Sequence, residues 1–432
     1  MQRRAFLHWS GTIASGALGT LALPASMRAA LAESIDLDLP SPTSDVASDE
    51  AYWARVRKLY AVDPSMLDLD HGNSGLTPRR VLERYLRDAR LLNSAPNVHY
   101  PRLMRDNSMY ETINAFLGVQ APDDVALVPN ATQALNTVLR GFPLDRGDEV
   151  LVSNHEYPDM VATLHARAKR EGIVVRTVSV PARDADSAAF VSALEGAVTA
   201  RTKLALLSHV SAWNGEVLPV ADACAALRAR NVATCVDAAQ SAGFLDVNFG
   251  ALGCDFLGLS WHKGMCAPIA TGALAMRQRW FGVVEPLHPP TWDVGKYPIE
   301  MYAWTGSANV AGYAAIPTAI SVQRQIGIAN KHARLRFLAN YWQSRLAAIP
   351  RISLLTPSSP ARSMGFAAFA VDRMPSKAVA DRLRERHRVY VQSKAERPYK
   401  PFPEAVRVTP QPYTTLGELD RFVGAVIALA KE

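Results

Sequence analysis

The chain has 432 residues, 49% of them hydrophobic and 20% charged, with a formal net charge of +7. That length suits two or more domains or one large α/β subunit, and the composition is that of a globular protein with ample core. No basic run is interleaved with aromatics, so nothing supports nucleic-acid binding.

Three of the positive charges, Arg3, Arg4 and Arg28, lie in an acid-free leader, leaving +4 on the rest. Arg3-Arg4-Ala5-Phe6-Leu7 precedes a mildly apolar run, Gly11 to Leu23, and then the small residues Ala30-Leu31-Ala32. Charged start, apolar centre and small-residue site occur in the order of a secretory signal, with cleavage before Glu33. The paired arginines resemble a twin-arginine (Tat) signal, which predicts passage through the Tat machinery to the periplasm. An amphipathic leader or a single anchor is the other reading. The run is shorter than the about 20 residues of a membrane span, so no stable membrane anchor is expected.

Glu33 to about Asp49 reads as a polar tether, and Glu50 to Tyr60 has helical spacing. Met66 to Leu69 is apolar, His71 to Gly75 is a loop, and Thr77-Pro78 opens a helix. From Val125 to Met276 apolar strands alternate with helices. The strands are expected at Val125–Leu127, Glu149–Val152, Val174–Val178, Leu204–His209, Thr234–Val236, Phe256–Ser260 and Gly272–Met276. Such alternation predicts an α/β fold with a mainly parallel sheet covered on both faces. A long amphipathic region from Ala311 to about Ala348 links to a smaller α+β unit. Its strands are expected at Gly365–Val371, Val389–Gln392 and Ala405–Thr409, and its helices at Ser376–His387 and Leu416–Lys431. This divides the chain into a leader (1–32), a tether and helix (33–66), a large domain (67–325) and a link with a small carboxy-terminal domain (326–432). Cys224, Cys235, Cys254 and Cys266 match no metal or redox spacing and are expected as buried apolar residues.

Ligands of open α/β sheets gather beyond the carboxyl ends of the strands. Two residues there point to a particular chemistry. Asp237 closes one strand, and Lys263, in Ser260-Trp261-His262-Lys263, follows the next. An acid placed to keep a pyridine nitrogen protonated, with a lysine able to form a Schiff base, is the layout that pyridoxal 5'-phosphate (PLP) needs. Asn130-Ala131-Thr132 joins a strand to a helix and suits a phosphate, through backbone amides, a hydroxyl and the helix dipole. An ordinary helix cap is the alternative there. Ser260 and His262 flank the lysine on one side of the chain, Gln240 lies three residues past Asp237, and Tyr157 is placed to stack on a ring. A folded, cofactor-loaded protein is also the kind of cargo that Tat export carries.

These segments, with Leu69–Gly75, His155-Glu156-Tyr157, Trp304-Thr305-Gly306-Ser307 and Val406-Arg407-Val408, resemble the class V aminotransferase family of fold-type I PLP enzymes. Within it the chain is most similar to the isopenicillin N epimerase-like branch. The resemblance implies Lys263 as the Schiff-base residue and Asp237 as the partner of the pyridine nitrogen. It implies Gln240 on the cofactor's 3'-oxygen and Thr132, Ser260 and His262 on its phosphate, with Asn130, Ala131 and Tyr157 completing the cofactor site. Gly306 and Ser307 match a segment that reaches the phosphate of a neighbouring subunit, which implies a homodimer with shared active sites. Arg407 matches the arginine that grips a substrate carboxylate, with Asn73 beside it.

Two departures bear on the reaction. His209-Val210-Ser211 is followed by Ala212 where desulfurase relatives have asparagine, so a hydrogen bond to the cofactor is missing or comes from Ser211 or Asn214. The Val391–Glu396 segment also lacks the nucleophilic cysteine of those relatives, which disfavours desulfuration. The sequence is therefore expected to encode a PLP enzyme acting on a small-molecule amino acid or peptide-borne amino acid, transaminase-like. Epimerisation, which requires a second acid that the sequence does not identify, and elimination are the alternatives. An exported enzyme of this branch is also similar to periplasmic enzymes that tailor a glutamyl group of the siderophore pyoverdine.

Overall fold

The computed structural model describes residues 37–42, 44–181, 187–293, 298–399 and 402–432. The expected twin-arginine leader and the cleavage expected before Glu33 lie outside the described residues. The helix Glu50–Lys58 and strand β1 (Leu67–Asp68) come first, followed by helices Arg79–Ser94, Pro96–Met104 and Asn107–Leu117. Seven strands then form the large sheet: β2 (Asp124–Val128), β3 (Glu149–Ser153), β4 (Val174–Val178), β5 (Thr202–Ser208), β6 (Ala233–Asp237), β7 (Phe256–Ser260) and β8 (Gly272–Met276). All stand where the alternation placed them.

The sheet order is β2-β8-β7-β6-β5-β3-β4, with β8 alone antiparallel to its neighbours. The central strands read as unbroken apolar runs because both faces are covered. Their side chains nevertheless alternate between two cores. Leu151, Ala205, Leu207, Val236, Leu257 and Ala273 join one, and Val150, Val152, Leu204, Leu206, Cys235 and Leu274 join the other. Helices Ala131–Gly141, Pro158–Glu171, Ser187–Ala197 and Val220–Arg228 supply the connections. Strands β3, β5, β6 and β7 all run the same way, so Ser153, Ser208, Asp237 and Ser260 emerge along one edge. That edge carries the site.

The long amphipathic region is three helices, Val310–Ala314, Ile316–Ile326 and Ile328–Leu346. Pro317 starts the second, and Gly327, at φ +87°, separates it from the third. The carboxy-terminal unit adds β9 (Ile352–Leu354), β10 (Ala367–Val371), β11 (Val389–Tyr390), β12 (Gln392–Lys394) and β13 (Ala405–Val408), with helices Ser376–His387 and Leu416–Ala430. Its antiparallel sheet has the order β12-β13-β10-β9. The single strand expected at Val389–Gln392 divides at Val391: β11 pairs with β1, and β12 pairs with β13. Leu67 and Leu69 accordingly pack in the core of the small unit, with Trp342, Phe369, Val406 and Phe422. The opposite face of the small sheet, with Ala368 and Ala405, packs on Trp213 of the large unit. The two units thus enclose a crevice at the carboxyl edge of the large sheet.

Candidate active site

The start of the helix Ala131–Gly141 is fixed from two directions. Asn130 Oδ1 accepts from the Gln133 amide at 2.9 Å, and Ser260 Oγ accepts from the Ala131 amide at 2.9 Å. Close approach is possible because Gly272 has no side chain; a Cβ there would lie 2.5 Å from Asn130 Cα. Asn130 is thus a helix cap as well as a loop residue, and Thr132 is the exposed residue of the first turn. Ser260, Ala131 and Thr132 are brought together at a helix amino terminus, where an anion is favoured. His262 directs Nδ1 at the Thr271 carbonyl oxygen, 3.2 Å away. With the proton assigned to Nδ1, its other nitrogen faces a phosphate as a donor only when the ring is protonated.

Asp237 ends β6 with Oδ1 accepting from the Ala239 amide at 2.8 Å. Burial raises its pKa, opposed by that hydrogen bond and by the charge of Lys263. Lys263 shows the complementary effect: burial lowers its ammonium to about 8, Asp237 pulls it up, and Arg407 pushes it down. Lys263 therefore gives up its proton far more readily near neutrality than an ordinary lysine, as a nucleophile and base requires. Its loop is held firmly. Gly75 donates to the His262 carbonyl at 2.8 Å, and a Cβ on Gly75 would fall 2.3 Å from the Lys263 carbonyl oxygen. From below, the buried Lys331 Nζ donates to the Gly264 carbonyl at 2.8 Å and to Gln323 Oε1 at 2.6 Å.

Gln240 donates through Nε2 to the Gly72 carbonyl at 2.8 Å, while its buried Oε1 has no partner among the described residues. An orphaned buried amide oxygen beside an acid and a free amine fits a polar ring substituent, so the residues present fit PLP. Tyr157 is half-buried just before the helix Pro158–Glu171; burial, and then Asp159, raise its phenol. Asn214 does not supply the extra cofactor contact. Its amide is committed to the Leu355 carbonyl at 3.1 Å and to the Glu216 backbone amide at 3.2 Å. Ser211 is fully buried, its hydroxyl accepting weakly from the Trp213 amide at 3.4 Å. Gly306 and Ser307 occupy an exposed turn with no atom within 4 Å of a Cβ placed on Gly306.

Arg407 is 2% exposed, and it is already partly engaged. Nη2 donates to Asp70 Oδ1 at 2.8 Å and Nη1 to the Ala212 carbonyl at 2.9 Å, while Nε is buried without a partner. The position of Ala212 thus serves Arg407 through its backbone. A carboxylate arriving here meets an orphaned donor on an arginine whose charge is half-satisfied by Asp70. Asn73 is exposed on the loop that follows Asp70.

Glu156 was not singled out by sequence reasoning as a functional side chain. Its Oε1 accepts from Ser153 Oγ at 2.6 Å and from the Ser208 amide at 3.0 Å, and its Oε2 accepts from Ser208 Oγ at 2.6 Å. It therefore fastens β3 to β5 beside Asp237, which pairs with Ser208 across β5 and β6. Burial raises the Glu156 carboxyl from its ordinary 4.5 to about 7; the serine hydrogen bonds lower it and Asp237 adds repulsion. A carboxyl raised on folding binds more protons folded than unfolded between those two values. Stability should therefore fall as pH rises from about 4.5 to about 7 and level off above. Glu156→Gln should flatten that slope. Denaturant midpoints of both proteins between pH 5 and 8 measure it, and parallel slopes would show that Glu156 is not the titrating group.

The aminotransferase class-V family model matches residues 69–422. The isopenicillin N epimerase of Streptomyces clavuligerus is 31% identical over 405 residues, covering 88% of this chain and 99% of that protein. A solved structure of a C-DES variant, with glycine covalently linked to its PLP cofactor, superposes with a TM-score of 0.75 at 22% identity; 84% of this chain and 97% of that one are covered. A cysteine desulfurase of Escherichia coli superposes with a TM-score of 0.74 at 20% identity, covering 88% and 98%.

Proposed function

The chain belongs to the class V aminotransferase family of PLP enzymes, and on that footing we propose that it inverts the Cα configuration of an amino acid or peptide-borne amino acid. Bound in the crevice, PLP supplies the electron sink for a bond broken at Cα. Lys263 would hold the cofactor through its amine, and the same Nζ would take the proton from Cα. Asp237 would keep the pyridine nitrogen charged. Arg407 orients the carboxylate through Nε, and the first turn of the helix Ala131–Gly141 receives the phosphate. The transaminase-like expectation ranks second because the relatives named above are an epimerase and desulfurase-type enzymes.

One observation favours epimerisation over desulfuration. Persulfide chemistry needs an accessible thiolate. All four cysteines are buried and unpaired, and burial pushes each thiol up. The cysteines sit in the core, as expected of small apolar residues, and none lines the crevice mouth as an exposed nucleophile.

The test uses the PLP-loaded protein in D2O with isopenicillin N and the proteinogenic L-amino acids. Inversion is expected as a product of opposite chirality carrying deuterium at Cα, seen by chiral chromatography and proton NMR. Keto acid with pyridoxamine phosphate, or release of sulfide or alanine from cysteine, as the main products would overturn the reading.

A further inference from the structure

Inversion at carbon needs two proton carriers, because a single base returning its proton to the side it came from regenerates the substrate. Building on the epimerase reading above, we infer that Lys394 is the second carrier, serving the side of Cα that Lys263 does not.

The register of the small sheet places it. β12 runs antiparallel to β13, with Gln392 opposite Arg407, Ser393 opposite Val406 and Lys394 opposite Ala405. Alternation puts Gln392, Lys394, Ala405 and Arg407 on one face. Ser393 turns to the other, where its Oγ lies 2.9 Å from Ser376 Oγ on the helix Ser376–His387. The face that Lys394 shares is the one toward the crevice. Ala405 and Ala368 pack there on Trp213, and Arg407 reaches Asp70 and the Ala212 carbonyl. Lys394 and Arg407 are diagonal neighbours across the strand pair, a separation that long side chains span. Lys263 belongs to the large unit and Lys394 to the small one, and the charge of Lys263 is felt at Lys394.

The electrostatics agree with the placement. Burial, and then Arg407, hold the Lys394 ammonium well below the usual lysine range, with Lys263 and Arg397 adding to the effect and Asp70 opposing it. An amine shifted downward gives up its proton more readily than an ordinary lysine, which suits a proton carrier. The proton balance closes without a co-reactant. Lys263 Nζ takes the proton of the Cα–H bond, and the electron pair stays with Cα and the bound cofactor. The Lys394 N–H bond then breaks as a new Cα–H bond forms with that pair. Lys263 ends protonated and Lys394 deprotonated, and solvent restores both; in the reverse direction the roles exchange.

Lys394→Cys provides the test, because the four native cysteines are buried and the wild type measures their background alkylation. In the PLP-loaded variant, iodoacetamide should alkylate the new thiol at least about 10-fold more slowly once aminooxyacetate, a small carboxylate that caps the cofactor, is bound. On isopenicillin N and the L-amino acids in D2O, inversion should fall at least about 100-fold relative to Cα deuterium exchange with retention. Aminoethylation with 2-bromoethylamine, which rebuilds a lysine-like side chain, should restore it. A thiol that aminooxyacetate does not protect, or a variant that inverts as readily as it exchanges, overturns the role of Lys394 and leaves the epimerase reading standing. A wild-type protein that inverts none of these compounds overturns both.

Discussion

Lys263→Ala should lower Cα proton exchange by at least about 10⁴, the upper range for loss of a positioned base, because the same amine also carries the cofactor. The fold should survive. Lys263 lies on a loop fixed by Gly75, Lys331 and Cys266 through backbone atoms, none of which the substitution removes. Its ammonium is held down to about 8 chiefly by burial, so the side chain spends stability rather than supplying it, and the variant should melt no lower than wild type. After borohydride treatment, peptide mapping of the wild type should find one pyridoxyl group, on Lys263. In Lys263→Ala that adduct is absent, and PLP is removed by dialysis. A variant that kept wild-type exchange would show that another amine holds the cofactor and that the site has been placed on the wrong loop.

The juxtaposition of Asp237 and Lys263 was legible because its signals are local. Asp237 and Lys263 each close a short apolar run, and the carboxyl edge of a parallel sheet is where a ligand is expected. The features that escaped depend on contacts between distant segments. Glu156 lies within a tripeptide that was quoted, yet its function appears only when Ser153 and Ser208 arrive from two strands. Asp70 and Arg407 are 337 residues apart in the chain. Lys394 was passed over as part of a segment lacking cysteine, because only the pairing of β12 with β13 shows which way it faces. The run Val389–Gln392 looked like one strand because β-propensity cannot reveal that two halves pair with different partners. Helices Pro96–Met104 and Asn107–Leu117 went unread for a comparable reason. The first holds a proline in its interior, Pro101, so its propensity argues against the helix that packing imposes.

The Asp70–Arg407 pair carries the second large effect. Both side chains are 2% exposed, and each supplies the other's nearest opposite charge at 2.8 Å. Removing one member leaves a buried charge uncompensated, at a cost of about 3–5 kcal/mol. Asp70→Ala should show that loss in urea unfolding. The double replacement of Asp70 by Leu and Arg407 by Met should regain most of it, since an apolar pair of similar volume often matches a buried ion pair in stability. Function should divide differently. The double variant, though stable, has no donor for a substrate carboxylate and should lose substrate binding. Asp70→Ala, though unstable, frees Nη2 beside the unpartnered Nε, and at temperatures where it is folded it should bind carboxylate substrates at least as well as wild type. It should also lower the Lys263 ammonium further, because Asp70 is one of the charges that raise it. If Asp70→Ala unfolds within about 0.5 kcal/mol of wild type, the pair is not a structural keystone, and the arginine must be compensated by other groups. If the loss is large and the double variant recovers it, the ion pair is retained for what Arg407 does to a substrate. The fold alone would be served as well by leucine and methionine.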